Sequence, residues 1–144
     1  MGLKSSLDEI LKNIERAKRN TFTKKDVILV AATKTRSFNQ INQVYSLGIR
    51  HIGENRIQEA EGKFESFEEM PKITRRFIGH LQSNKINKFI KLFDTIDSID
   101  SYRLANKINT RIEQRKLTGL IEVNTSGDKN KNGFKPELSD ELIQ

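Results

Sequence analysis

Val27-Ile28-Leu29-Val30-Ala31-Ala32 places six apolar residues together, with charged residues on either side. A strand with one face in water alternates apolar and polar residues. An unbroken run of this length reads instead as a strand buried on both faces, as in parallel sheets, and so points to an α/β architecture. Thr33 and Lys34 follow directly. Ligands of α/β folds bind at the carboxyl ends of strands, which makes Lys34 a candidate functional residue from its position alone.

The rest of the chain repeats this unit. Leu3, Leu7, Ile10, Leu11 and Ile14 recur at three- and four-residue spacing and predict an amphipathic helix ending near Asn20, capped by Ser5 or Ser6. Residues 37–48 show a serine cap, helical apolar spacing and a closing glycine. Residues 49–55, 75–81, 94–100 and 117–124 read as further strands, with helices over 56–69, 86–93 and 102–116 between them. Gly62 weakens its helix, Pro71 marks a break, and Pro136 suits the first turn of a final helix after a Gly/Asn/Lys loop. The order is one helix and then five βα units, spaced by about two dozen residues as in a parallel sheet. No linker or low-complexity break divides it, so residues 1–144 predict a single domain.

Charge narrows the partners. The chain has 26 Lys+Arg against 19 Asp+Glu, a formal +7, which favours phosphorylated small molecules, nucleic acid or anionic lipid surfaces. The basic residues are spread over every predicted helix and are not interleaved with aromatics, so no nucleic-acid partner is expected. The absence of cysteine excludes disulfides, thiolate metal sites and cysteine nucleophiles, and a reducing cytoplasm is the expected location. The first 20 residues lack the apolar core of a signal peptide, and no apolar stretch approaches the ~20 residues that span a bilayer, so no membrane partner is expected. With two histidines, His51 and His80, no metal site is expected either.

If the five strands run parallel, their carboxyl ends gather Thr33 with Lys34, Glu54 with Asn55, His80 with Gln82, Asp97 with Ser98 and Asp100, and Asn124 with Ser126. An amine at its ordinary pKa of about 10.4 is protonated at neutral pH and does not attack a carbonyl. Burial and neighbouring cations, for which Arg36 and Lys85 are candidates, would disfavour the ammonium and fit Lys34 for Schiff-base chemistry. The plain alternative is an exposed strand-end lysine that is merely solvated. Asp97 and Asp100 are expected to cap the next helix, and Glu54 and Asn55 can cap the helix near Arg56. Residues 126–133 can cradle phosphate but lack the Gly-Lys-Ser/Thr ending of a P-loop, and they read as a solvated flexible loop.

Four segments then go beyond a fold class. Ala31-Ala32-Thr33-Lys34-Thr35-Arg36, His51-Ile52-Gly53-Glu54-Asn55 with Gln58-Glu59, Phe77-Ile78-Gly79-His80-Leu81-Gln82-Ser83-Asn84-Lys85, and Ile96-Asp97-Ser98-Ile99-Asp100 occur in this order. Together they resemble the YggS/PROSC family of pyridoxal phosphate homeostasis proteins, from about Leu7 to Leu138. The resemblance implies a (β/α)8 TIM-barrel fold like the amino-terminal domain of alanine racemase. It implies pyridoxal 5'-phosphate as cofactor, held as a Schiff base on Lys34, with Asn55 beside the cofactor ring and His80 at the same mouth. It also implies a role in vitamin B6 homeostasis without robust catalysis, hence no enzyme, with pyridoxal phosphate-dependent apoenzymes as possible recipients. A pyridoxal phosphate-dependent amino-acid racemase or lyase is the alternative. Tyr45 and Tyr102 fall in predicted helices, which leaves no obvious tyrosine base. Measured against the family pattern, the chain supplies about five βα units of an incomplete barrel, without the carboxyl-terminal strands and phosphate-binding elements. Open sheet edges and weak or no cofactor retention by these units alone are therefore expected.

Overall fold

The expected alternation is present in a computed structural model, which describes residues 2–22, 25–64 and 70–138. Helix α1 (Leu3–Arg19) leads into β1 (Val30–Ala32), α2 (Phe38–Ser46), β2 (His51–Glu54), α3 (Ile57–Phe64), β3 (Thr74–Phe77), α4 (Ile86–Leu92), β4 (Thr95–Ile99), α5 (Tyr102–Asn109) and β5 (Thr118–Ile121). Single 3-10 turns occupy Ser83–Lys85 and Pro136–Leu138. All strand pairs are parallel and the sheet order is β1-β2-β3-β4-β5. Right-handed crossovers that always advance in one direction deliver their helices to one face of the sheet. This is one-sided winding, without the order reversal that creates the binding crevice of a doubly wound sheet.

The core follows from that winding. Ile52, Phe77 and Ile96 project from β2, β3 and β4 onto Ile41 of α2, Ile57, Ala60 and Phe64 of α3, Phe89 of α4, and Leu104 and Ile108 of α5. Phe93 stands at its centre. Its ring lies edge-on to Phe64 and Phe77, with centroids 5.2 Å away in both cases, and stacks on Phe89 at 5.7 Å.

Local chemistry explains several element ends. Ser37 caps α2 in a full capping box, with its side chain accepting from the Gln40 N–H and the Gln40 side chain from the Ser37 N–H. Helix α1 is instead capped by Gly2 with no side-chain bond, because Ser5 turns its hydroxyl onto the Gly2 carbonyl at 2.8 Å. Of its apolar stripe only Leu7 is buried. Helix α5 stops at Asn109, short of the expected residue 116, and Arg115 folds back to donate to the Phe93 carbonyl (2.7 Å) and the Asp94 carboxylate (3.0 Å). Asp94 also receives a two-pronged bond from Arg75, at 3.0 and 2.9 Å. Burial alone would raise the Asp94 pKa. The Arg75 hydrogen bonds, with the charges of Arg75 and Arg115, outweigh it and hold the group below the ordinary carboxylate value. The second half of the helix expected over 56–69 lies partly outside the described residues.

The largest departure from expectation is at the opening run. Only Val30–Ala32 pairs as a strand, and Val27 and Ile28 are 55% and 58% exposed. The reason is position: among the described residues β1 is an edge strand with β2 as its one strand neighbour, so no further strand pairs along its outer side. The other edge behaves alike, with Leu120 and Ile121 of β5 about half exposed.

Candidate functional site

The carboxyl ends of β1, β2 and β3 lie side by side in register. Ala32 pairs with Gly53, Glu54 with Phe77, and the Thr33 and Ile78 amides extend the ladders by donating to the Gly53 and Glu54 carbonyls at 2.9 and 3.0 Å. Lys34, Asn55 and His80 lie within three residues of the ends of these strands, so one end of the sheet carries all three. Of the two readings left open for Lys34, buried or exposed, the structure has it exposed, on a tight turn out of β1 closed by the Arg36 N–H on the Thr33 carbonyl at 3.0 Å. Its amine makes no hydrogen bond or ion pair among the described residues.

Beneath the turn lies a polar cluster. Thr33 is buried and donates its hydroxyl to Glu54 Oε1 at 2.7 Å. Lys63 of α3 donates to the same oxygen at 2.8 Å and to the Thr33 carbonyl at 2.9 Å. Glu54 is 0% exposed and its second oxygen, Oε2, has no hydrogen-bond partner among the described residues. One turn earlier on α3, Glu59 Oε2 accepts from the Thr35 N–H at 3.2 Å and lies 3.8 Å from Lys63.

Asn55 is half-buried and set by close backbone approach: a Cβ added at Gly79 would lie 2.3 Å from the Asn55 carbonyl oxygen, so a side chain at position 79 would displace this strand end. Ser98 fixes Gly79 from the other side, donating to its carbonyl at 2.5 Å. The imidazole of His80 is half exposed, with Nδ1 2.8 Å from Asp100 Oδ2. A carboxylate on Nδ1 orients the ring and leaves Nε2 turned outward. Asp97 and Asp100 therefore do not cap α5 as expected. Ser101 does, accepting from the Leu104 N–H at 3.3 Å, while Asp97 forms a two-pronged pair with Arg76 at 2.7 and 2.9 Å. Glu54 likewise faces Thr33 and Lys63 rather than capping α3. The loop after β5 is internally tied: Asn124 Nδ2 donates to the Asp128 carbonyl at 2.8 Å and the Asn124 N–H to the Phe134 carbonyl at 2.8 Å.

On the strand face away from the helices, next to Arg76, sits His51, whose Nδ1 is buried without a partner among the described residues. Burial, and secondarily the Arg76 charge, lower its pKa below 6.5, against a smaller opposing pull from Asp97. The sign follows: the unfolded chain takes up this proton near the ordinary value and the folded chain only at lower pH. The stabilisation is complete above pH 6.5 and declines as the pH falls below it. Urea unfolding of wild type and His51→Gln at pH values on both sides of that point should show a smaller loss of stability on acidification in the variant. Equal losses would show that His51 does not carry the effect. Among the described residues no group of His, Cys, Asp and Glu is arranged to hold a metal ion, and no helix is long and apolar enough to cross a membrane.

The residues that sequence reasoning missed are partners rather than strand-end groups. Lys63 and the role of Asp100 toward His80 were not singled out; the one signal for Lys63 was its i,i+4 spacing from Glu59.

No family model matches the chain. It is 39% identical over 121 residues to the pyridoxal phosphate homeostasis protein of Synechocystis sp., an alignment covering 82% of this chain and 56% of that protein. The protein of the same description from Helicobacter pylori is 33% identical over 146 residues, with 99% of this chain and 65% of the relative covered. Among solved structures, PipY of Synechococcus elongatus with PLP bound superposes with a TM-score of 0.73 at 30% identity, covering 89% of this chain and 62% of PipY. The chain thus spans between about half and two thirds of the length of these relatives. A one-directional parallel sheet and relatives matched along nearly all of its residues agree: in sequence and in fold the chain is similar to the pyridoxal phosphate homeostasis proteins.

Proposed function

We propose that the protein binds pyridoxal 5'-phosphate through Lys34 and serves vitamin B6 homeostasis in the cytoplasm without robust catalysis. The observation that carries the reading is the Lys34 amine, without a hydrogen-bond or ion-pair partner among the described residues and presented on a turn at the sheet end that also carries Asn55 and His80. The donor chemistry fits the aldehyde end of the group. When bound, pyridoxal phosphate supplies an aldehyde that condenses with a primary amine, forming a C=N bond and releasing water. Lys34 would hold that end, Asn55 would line it, and His80, oriented by Asp100, would present Nε2 to the same mouth. The bound PLP of PipY and the shared name of the relatives support pyridoxal phosphate as the cofactor. One-sided winding of five strands supports a (β/α)8 barrel in which residues 1–144 form a single amino-terminal part. Apoenzymes that use the cofactor are the proposed recipients.

Incubation of the protein with pyridoxal phosphate, borohydride reduction and peptide mapping should place the label on Lys34, since reduction traps even a weakly held aldehyde. Lys34→Ala should lose the label, and labelling unchanged in that variant would sink the reading. An oriented imidazole, His80 on Asp100, favours a second reading as an amino-acid racemase or lyase. Turnover of amino acids above the background of free cofactor would establish it.

A further inference from the structure

The turn that carries Lys34 is not self-sufficient. Thr35 adopts φ +62°, a left-handed conformation that is an outlier for a β-branched residue, and such backbone persists only where the surroundings over-determine it. Here the surroundings are two side chains of α3. Glu59 accepts from the N–H of Thr35 (3.2 Å), and Lys63 donates to the carbonyl of Thr33 (2.9 Å), so both backbone groups flanking Lys34 are tied to one rigid helix face. The acid and base lie four residues apart, which puts them on the same face, and α3 is itself anchored in the core by Ile57, Ala60 and Phe64. From below, Lys63 is fixed by the buried Glu54, which also receives the Thr33 hydroxyl.

We infer that Glu59 and Lys63 are positioning residues for Lys34: clamping the backbone on both sides of it, they aim its amine and hold the left-handed turn against relaxation. The inference rests on Lys34 being the cofactor lysine. It adds that the competence of Lys34 depends on hydrogen bonds made by residues that do not touch the cofactor.

The test uses the whole chain with Glu59→Ala, which removes the acceptor, and Glu59→Gln, whose side-chain carbonyl keeps it. Two readouts are taken. The first is hydrogen exchange of the Thr35 amide in cofactor-free protein, compared with core amides such as Ile52 and Phe77. The second is the rate at which pyridoxal phosphate and borohydride label Lys34. Glu59→Ala should speed Thr35 exchange and slow labelling by about tenfold each, the scale expected when a reacting group is displaced by a fraction of an ångström. Core exchange should stay unchanged, and Glu59→Gln should restore both rates to within about threefold, because the acceptor is regained. Lys63→Arg, which keeps a cation that can reach the Thr33 carbonyl, should likewise retain a slowly exchanging turn.

Thr35 exchange or Lys34 labelling unmoved by Glu59→Ala overturns the clamp, as does a loss that Glu59→Gln fails to repair. If wild-type Lys34 takes no label while Thr35 exchange responds as expected, the cofactor reading fails separately. Trinitrobenzenesulfonate then reports the reactivity of the Lys34 amine, and equal rates in wild type and Glu59→Ala overturn the positioning role itself.

Discussion

Replacement of Phe93 by alanine lowers the unfolding free energy by about 3–5 kcal/mol, the range for a fully buried aromatic whose cavity cannot collapse. Phe93 is 0% exposed, and its ring touches three others, Phe64, Phe77 and Phe89, drawn from α3, β3 and α4. Because these neighbours belong to different elements pinned by the sheet, no single side chain can swing to fill the space. Edge-to-face geometry is lost at Phe64 and Phe77 in the same step. Phe93→Leu, which keeps much of the volume, should cost less than half as much. Urea unfolding followed by far-ultraviolet circular dichroism measures both, and a cost for Phe93→Ala below about 1 kcal/mol would place the ring outside the packed core.

Lys63→Met should be comparably damaging, for an electrostatic reason. Glu54 is wholly buried, and among the described residues the Lys63 ammonium 2.8 Å away is its one charged hydrogen-bond partner. Methionine preserves the hydrophobic stem but leaves the carboxylate with the Thr33 hydroxyl alone, and removing one member of a buried pair costs about 3–5 kcal/mol. The pair itself is a different matter, since replacing both members can be close to neutral. The double variant Glu54→Gln/Lys63→Met should therefore recover most of the loss: the glutamine carbonyl still accepts from Thr33, and its amide can donate where Lys63 did. A double variant as unstable as Lys63→Met alone would mean that the damage comes from lost packing rather than from an unpaired charge.

The order of elements was legible in the residues, because apolar periodicity depends on neighbours within one or two turns. Ser37 announced the start of α2 in the same way, and the structure adds Gln40, three residues on, as the other half of a capping box. The strand-end groups Lys34, Asn55 and His80 could be gathered before any coordinates, since parallel strands bring their carboxyl ends together whatever the details of packing. The fate of Val27 and Ile28 could not be read: an apolar run looks the same in a central strand and at an edge, and among the described residues β1 has a strand neighbour on one side only. Asp97 and Asp100 read as caps from local spacing for a related reason. Their true partners, Arg76 and His80, belong to the preceding unit of the sheet, and only strand register brings them near.

What the residues alone dictated, then, was an α/β architecture with a parallel sheet, the order of its helices and strands, and a lysine at the end of the first strand. Tertiary structure alone decided that this lysine stands exposed on a left-handed turn, and that Lys63, 30 residues beyond Thr33, holds that turn in place. The physical reason is range. Secondary structure is set by contacts a few residues apart, whereas the aim of a side chain is set by hydrogen bonds between elements that meet only once the sheet has formed.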